Sequence, residues 1–175
     1  DPRACTNHFY AWAVPFIWVI PQEVAQRGAY ISVEENLRRI PPHSVDPTVK
    51  NYHWGDMTAA LFNALDAGYD TTVLLDANGY VTEGPGFNIF AVIDGKVLTP
   101  RSGMLEGISR KTVLEICADL GITCAETDIS LDEFLSAEEV FTATTAGGPV
   151  PVTRVNKTIL GNDATSWLKL FGQID

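Results

Sequence analysis

The sequence predicts a mixed α/β fold of the α+β kind, a pseudo-barrel of short strands with flanking helices. Short runs rich in Val, Ile, Phe and Thr recur along the chain and end at turn residues such as Asn78-Gly79 and Asp94-Gly95. Apolar residues recur at helical spacing in only a few segments, and these do not alternate regularly with the strands. A regular series of parallel βαβ units is therefore not expected.

The first apolar run, Phe9–Ile20, is rich in aromatic and β-branched residues and predicts a buried strand with a break at Pro15. It is too short to cross a bilayer. The chain opens on Asp1-Pro2-Arg3 and enters this run almost at once. We therefore expect that an N-terminal part of a longer protein lies outside this sequence.

The other elements follow from the same periodicities. Strands are predicted at Tyr30–Ile40, Thr71–Asp76, Tyr80–Thr82, Phe87–Ile93, Lys96–Thr99, Ile122–Thr127, Glu139–Ala143 and Val150–Val155. Helices are predicted at Asp56–Ala67, Ile108–Leu120, Leu131–Leu135 and Ala164–Phe171. Asp56 is the expected N-cap of the first helix, and Gly68 and Gly121 are the expected C-terminal stops of the first two.

Composition excludes several classes of function. With 175 residues and 46% hydrophobic content, the chain can form one sizeable core, and a net charge of -10 disfavours nucleic acid and anionic membrane surfaces as partners. The three cysteines, Cys5, Cys117 and Cys124, form no CxxC pair and have no histidine at ligand spacing. They predict reduced thiols in a cytoplasmic protein and no metal site. Gly84-Pro85-Gly86 leads into a strand and lacks a third glycine, which argues against a dinucleotide-binding fingerprint.

Lys50 is the first candidate for chemistry. It follows the proline-rich segment Pro41–Pro47 and the β-branched pair Thr48-Val49, which predicts a lysine held at a strand end by a stiff leader. Most lysines are simply solvated, and Lys50 taken alone would be too. A lysine held in place can instead form an imine with an aldehyde, so its interpretation depends on the residues downstream.

Those residues match what pyridoxal phosphate requires of a protein. The cofactor needs an amine for its aldehyde, an anion opposite its ring nitrogen, and a phosphate site made from helix N-terminal amides and hydroxyls. Lys50 can be the amine and Glu83 the anion, while Gly107-Ile108-Ser109 opens the clearest helix and Thr144 offers a hydroxyl. Each also has an ordinary explanation, as a turn carboxylate, a helix cap or a strand end. It is their combination in this order that favours the cofactor site.

Five stretches resemble the class IV, or fold-type IV, pyridoxal phosphate aminotransferases. These are Val49–Asp56 (VKNYHWGD), Val81–Phe90 (VTEGPGFNIF), Leu98–Pro100 (LTP), Leu105–Arg110 (LEGISR) and Thr144–Pro151 (TTAGGPVP). The wording of the first and last is most similar to the (R)-selective amine transaminases. The resemblance implies one cofactor-binding large domain spanning residues 1–175, without the small N-terminal domain of the family, and a homodimer.

The resemblance also implies a role for each site residue. Lys50 forms the Schiff base with pyridoxal 5'-phosphate and moves the substrate proton, and Glu83 pairs with the ring nitrogen. Leu105 packs on the ring. The remaining residues fall into two groups: Ile108, Ser109 and Thr144 bind the phosphate, and Trp54, Thr145 and Ala146 border the substrate. For Trp54, core packing is the alternative.

The implied activity is transamination between an amine or amino acid and a keto acid such as pyruvate, with a preference for (R)-amines or D-amino acids. A branched-chain aminotransferase or an aminodeoxychorismate lyase-like enzyme of the same fold is the alternative. A second alternative is a truncated domain without catalytic activity, because the family's phosphate-binding arginine on the small domain has no counterpart in this sequence.

Overall fold

A computed structural model describes residues 1–160 of the chain. The helix predicted at Ala164–Phe171 lies outside these residues. The helices are a single 3-10 turn at Pro2–Ala4 and then α1 Gln22–Arg27, α2 Gly55–Asp66, α3 Ile108–Asp119 and α4 Leu131–Leu135. The strands are β1 Ala29–Arg38, β2 Thr71–Leu75, β3 Glu83–Gly84, β4 Phe87–Ile93, β5 Lys96–Pro100, β6 Cys124–Thr127, β7 Glu139–Thr144, β8 Gly148–Val155 and β9 Thr158–Ile159.

The described residues form one mixed sheet in the order β2-β1-β8-β7-β4-β5-β6, with β3 added beside β4 and β9 beside β8. The β1 pairs with β2 and β8 and the β5–β6 pair are parallel, and the other pairs are antiparallel. Parallel and antiparallel neighbours in one sheet, with helices interposed irregularly, confirm the predicted mixed fold.

Strand β4 is a central strand of the sheet, with β7 on one side and β5 on the other, and its first five residues are buried. Ile89 and Ala91 contact the main core, whereas Phe90 points to the other face and packs in the cluster that contains Val113 of α3. The ring of Phe90 stacks on that of Phe141, with centroids 4.8 Å apart. This alternation is what fixes the register of a strand, because a shift by one residue would exchange the two faces.

The turn at Asp94-Gly95 and the stop at Gly121 are found as predicted, and a capping box that was not predicted starts α4. Asp94 and Gly95 have φ values of 50° and 69° and close the β4–β5 hairpin. The hydroxyl of Ser130 accepts a hydrogen bond from the backbone N–H of Glu133, whose carboxylate accepts one in return, so that a capping box starts α4. Gly121, with φ of 69°, follows the end of α3.

The predicted strand at Phe9–Ile20 is wrong. The segment is irregular and pairs with no strand among residues 1–160, and Phe9 and Trp12 are 92% and 78% exposed. Only its end joins the domain, where the N–H of Val19 donates to the carbonyl of Ala146 and Ile20 is buried. High β-propensity does not make a strand without a neighbour to pair with.

Three local predictions also need correction. Thr48-Val49 forms a turn, so Lys50 lies in a loop and not at a strand end. The N-cap of α2 is Trp54, while Asp56 lies in its first turn and binds an arginine described below. Tyr80–Thr82 contributes only isolated bridges, and strand β3 begins after it, at Glu83.

Two kinds of feature are not found among residues 1–160. No helix in the described part is long and apolar enough to cross a membrane. Among residues 1–160, no group of three or more His, Cys, Asp or Glu side chains is arranged to hold a metal ion.

We expect Phe90→Ala to lower the free energy of unfolding by about 3–5 kcal/mol, because it leaves a cavity at the centre of the sheet. Phe62→Ala is the control: Phe62 is 63% exposed on α2, so its loss should change stability by about 0.5 kcal/mol or less. Urea unfolding of both variants measures the difference. Equal destabilisation would contradict the central position assigned to β4.

Candidate active site

One cavity of about 370 Å³ brings most of the predicted site residues together. It lies between the loop that carries Lys50, the β3–β4 connection, the start of α3 and the end of β7. The predicted site residues that line it are Lys50, Trp54, Glu83, Leu105, Ile108, Ser109, Thr144 and Thr145. Ala146 is not among its lining residues, and its carbonyl instead accepts a hydrogen bond from Val19.

We call residues 41–54 the lysine loop. Asp46 orders its first half, since one carboxylate oxygen accepts from the N–H and the hydroxyl of Thr48, at 2.9 and 2.7 Å. These hydrogen bonds lower the pKa of Asp46. Asn51 orders the second half by donating to the carbonyl of Val49. The loop thus holds Lys50, an exposed residue, at the wall of the cavity.

Glu83 lines the same cavity and is only 5% exposed. One carboxylate oxygen accepts from Nε of Arg39 at 3.2 Å, and the other accepts from the backbone N–H of Leu105 at 3.0 Å. The strand can bring Glu83 this deep because Gly84 follows it: a Cβ there would lie 2.1 Å from the ring of Phe87 and 2.4 Å from the carbonyl oxygen of Thr72.

Burial raises the pKa of Glu83 above its ordinary value, although the Leu105 N–H and the Arg39 guanidinium act in the opposite direction. The contacts within the protein therefore compensate the charge of this carboxylate only in part. A cationic group in the cavity would supply the rest, which is the role expected of a protonated ring nitrogen.

Sequence reasoning missed Arg39 and the part played by Asp56. The guanidinium of Arg39, only 6% exposed, also donates to Asp56 at 2.7 Å, and the same oxygen of Asp56 accepts the N–H of Ile40. The one available signal was an arginine at the end of a predicted strand, where a buried cation requires a partner.

The part of the cavity formed by the start of α3 is suited to an anion. The first hydrogen bond within α3 runs from Lys111 to the carbonyl of Gly107, so the N–H groups of Ile108 and Ser109 have no partner inside the helix. The helix dipole places partial positive charge at the same point. The buried Thr144, whose hydroxyl accepts from the N–H of Ala146, ends β7 beside the cavity.

Asn88 is a second residue that sequence reasoning missed. Its side-chain amide donates to the carbonyl of Leu105 at 2.7 Å, and its carbonyl oxygen occupies the space beside Gly107, where a Cβ would lie 2.3 Å away. The signal in the sequence was an amide inside the apolar run Phe87–Phe90, because buried polar groups need partners.

These observations fit the cofactor that the sequence implies. A buried, incompletely compensated carboxylate, the free amides at the start of a helix and a lysine all line the same cavity. Glu83 would hold the ring nitrogen, Leu105 the ring, and Ile108, Ser109 and Thr144 the phosphate.

The raised pKa of Glu83 predicts a pH dependence of stability. Its contribution is complete below its ordinary pKa of 4.5 and is lost as the pH rises through the higher value in the folded protein. In the ligand-free protein, we expect the unfolding free energy of the wild type to fall relative to that of Glu83→Gln as the pH rises from 4.5 towards neutral.

Urea unfolding at a series of pH values measures this difference. Glu138→Gln, which removes an exposed carboxylate, is the control and should follow the wild type at every pH. A constant difference between wild type and Glu83→Gln across the series would show that burial of Glu83 has no effect on its protonation.

The comparisons with known proteins agree with this geometry. Residues 7–155 match the amino-transferase class IV family. A branched-chain-amino-acid aminotransferase of Pseudomonas aeruginosa is 33% identical over 141 residues, which is 80% of this chain and 46% of that protein.

Two solved structures are also similar. The branched-chain amino acid aminotransferase of Escherichia coli has a TM-score of 0.80 at 27% identity, over 91% of this chain and 55% of that one. The branched-chain aminotransferase of the archaeon Thermoproteus uzoniensis, solved with norvaline, has a TM-score of 0.77 at 29% identity, over 93% of this chain and 56% of that one. The chain thus spans about half the length of these relatives. Since the family match takes in most of its residues, the chain belongs to the amino-transferase class IV family.

Proposed function

We propose that this chain is the cofactor-binding part of a pyridoxal phosphate-dependent aminotransferase that transfers amino groups between branched-chain amino acids and keto acids. The observation that carries the proposal is a single cavity lined by Lys50, by the buried Glu83 and by the start of α3 with its free amides. Membership of the class IV family supports the reaction type.

The reaction assigns a task to each side chain. Pyridoxal phosphate, when bound, supplies an aldehyde for the substrate's amino group and a ring that withdraws electrons from the substrate's α-carbon. Nζ of Lys50 would hold that aldehyde and, once released, would move the proton between the α-carbon and the cofactor. Glu83 would keep the ring nitrogen protonated, and the start of α3 with Thr144 would hold the phosphate.

The choice of substrate rests on the relatives. The Pseudomonas aeruginosa, Escherichia coli and Thermoproteus uzoniensis proteins are all named branched-chain aminotransferases. They support the alternative from the sequence and give no support to the preference for (R)-amines. Trp54 and Thr145 line the cavity and are the residues of this chain that we propose to contact substrate.

The proposal includes the extent of the domain and the association of the protein into a homodimer. The chain covers only 46% of the Pseudomonas aeruginosa protein and 56% of the Thermoproteus uzoniensis chain. We propose that residues 1–175 form one cofactor-binding domain, and that protein outside this sequence completes the substrate pocket.

Borohydride reduction of the cofactor-loaded protein should fix one pyridoxyl group on Lys50. The protein mass should rise by one reduced cofactor, and peptide mapping should locate the adduct. Lys50→Ala should abolish both the adduct and turnover, because no other amine would hold the aldehyde. Lys96→Ala, which removes an exposed lysine on β5, is the matched control and should keep both. An adduct on Lys96, Lys111 or Lys157 would refute the assignment.

A substrate panel tests specificity. We expect the complete enzyme to transfer amino groups from L-leucine, L-isoleucine and L-valine to a keto acid at least tenfold faster than from (R)-1-phenylethylamine or D-alanine, since about 1.4 kcal/mol of differential binding suffices. The measurement is kcat/KM for each donor. A faster rate with the (R)-amine would restore the preference implied by the sequence, and pyruvate release without an acceptor would indicate a lyase.

A further inference from the structure

The charges buried behind the cavity do not balance. Arg39, Asp56 and Glu83 form one ion-pair cluster in which each side chain is at most 8% exposed. One guanidinium against two carboxylates leaves one negative charge in excess. Such an excess is costly in a buried position, so it calls for a further cation or for a proton.

The guanidinium of Arg39 lies closer to Asp56 than to Glu83. Arg39 donates from one terminal nitrogen to Asp56 at 2.7 Å, whereas only Nε contacts Glu83, at 3.2 Å. The shorter contact, from a terminal nitrogen, is the one to Asp56, and Asp56 does not line the cavity. Asp56 also accepts the N–H of Ile40 at 2.8 Å, which holds its carboxylate in place beside the guanidinium.

We propose that Asp56 is a positioning residue that acts through Arg39. Because Asp56 makes the closer ion pair with the guanidinium, Arg39 does not neutralise Glu83, which keeps its negative charge for a cationic ring nitrogen. The inference rests on the proposed function, because it concerns the nitrogen of the pyridoxal phosphate ring. Without Asp56, the fork of Arg39 would be free to pair with both oxygens of Glu83 and would neutralise it.

The other charged groups near Glu83 do not replace Asp56. Lys50 and Glu106 line the same cavity, but Glu106 is exposed and Lys50 is committed to the cofactor's aldehyde. Leu105 contributes only its N–H. Burial is the largest cause of the raised pKa of Glu83, and the charge of Asp56 raises that pKa further. This agrees with an excess of negative charge around Glu83.

Asp56→Asn tests the proposal, because it removes the charge and keeps the shape and an oxygen for Ile40. Asp66→Asn is the matched control: it makes the same change of charge at the exposed far end of the same helix. Asp56→Glu keeps the charge and should behave as the wild type. If Asp56→Asn does not fold, Asp56→Ser removes the same charge and leaves space for water.

Two ligands separate electrostatic from structural effects. One is pyridoxal phosphate, and the other is its analogue with C–H in place of the ring nitrogen, which cannot be protonated there. We expect Asp56→Asn to weaken pyridoxal phosphate roughly tenfold and to leave the analogue's Kd unchanged. NMR of protein loaded with cofactor labelled at the ring nitrogen should show that the nitrogen loses its proton at a pH about one unit lower.

Each outcome is decisive. Equal weakening of both ligands would show that Asp56 is only structural, and unchanged affinity for both would show that it does not act on the ring; either result overturns the inference. Wild-type protein that forms no borohydride-reducible adduct would instead overturn the proposed function. An adduct on wild-type Lys50 with no shift in Asp56→Asn would overturn this inference alone.

Discussion

The burial of one carboxylate is the constraint on which the rest of the site depends. An acid removed from water needs hydrogen bonds and a compensating charge, and Glu83 finds a guanidinium and a single backbone N–H within the protein. Its depth requires the absent Cβ of Gly84, whose place is closed off by the carbonyl of Thr72 and the ring of Phe87. Strands β2, β3 and β4 therefore pack as tightly beside the site as they do in the core.

The backbone of Leu105 makes hydrogen bonds to two side chains that line the cavity, Glu83 and Asn88. Its N–H donates to Glu83 at 3.0 Å, and its carbonyl accepts from Asn88 at 2.7 Å. Two residues further on, Gly107 leads into the free amides of α3. Because Glu83 and Asn88 are themselves paired across β3 and β4, the sheet register fixes the two side chains that hold the backbone of Leu105.

The sequence predicted correctly those features that depend on interactions between residues close together in the chain. The hairpin at Asp94-Gly95 and the short helix at Leu131–Leu135 depend on neighbouring residues, and both were predicted from the local sequence. Phe9–Ile20 had the composition of a strand, but pairing is decided by residues elsewhere in the chain. Residue type and order indicated Lys50 and Glu83. Arg39 could not be placed in the same way, since its partners lie 17 and 44 positions away.

The charges at the two ends of the cavity can orient a ligand without help from the lysine. Glu83 attracts a cation, and the amides of Ile108 and Ser109 attract an anion, so a molecule with a basic ring nitrogen and a phosphate group is favoured in one direction only. Lys50 lines the cavity in which such a ligand would be held. An exposed lysine on an ordered loop suits this arrangement. Under the proposed function, Lys50 would have to leave the cofactor and return in every cycle, and a side chain fixed by hydrogen bonds of its own would have to break them each time.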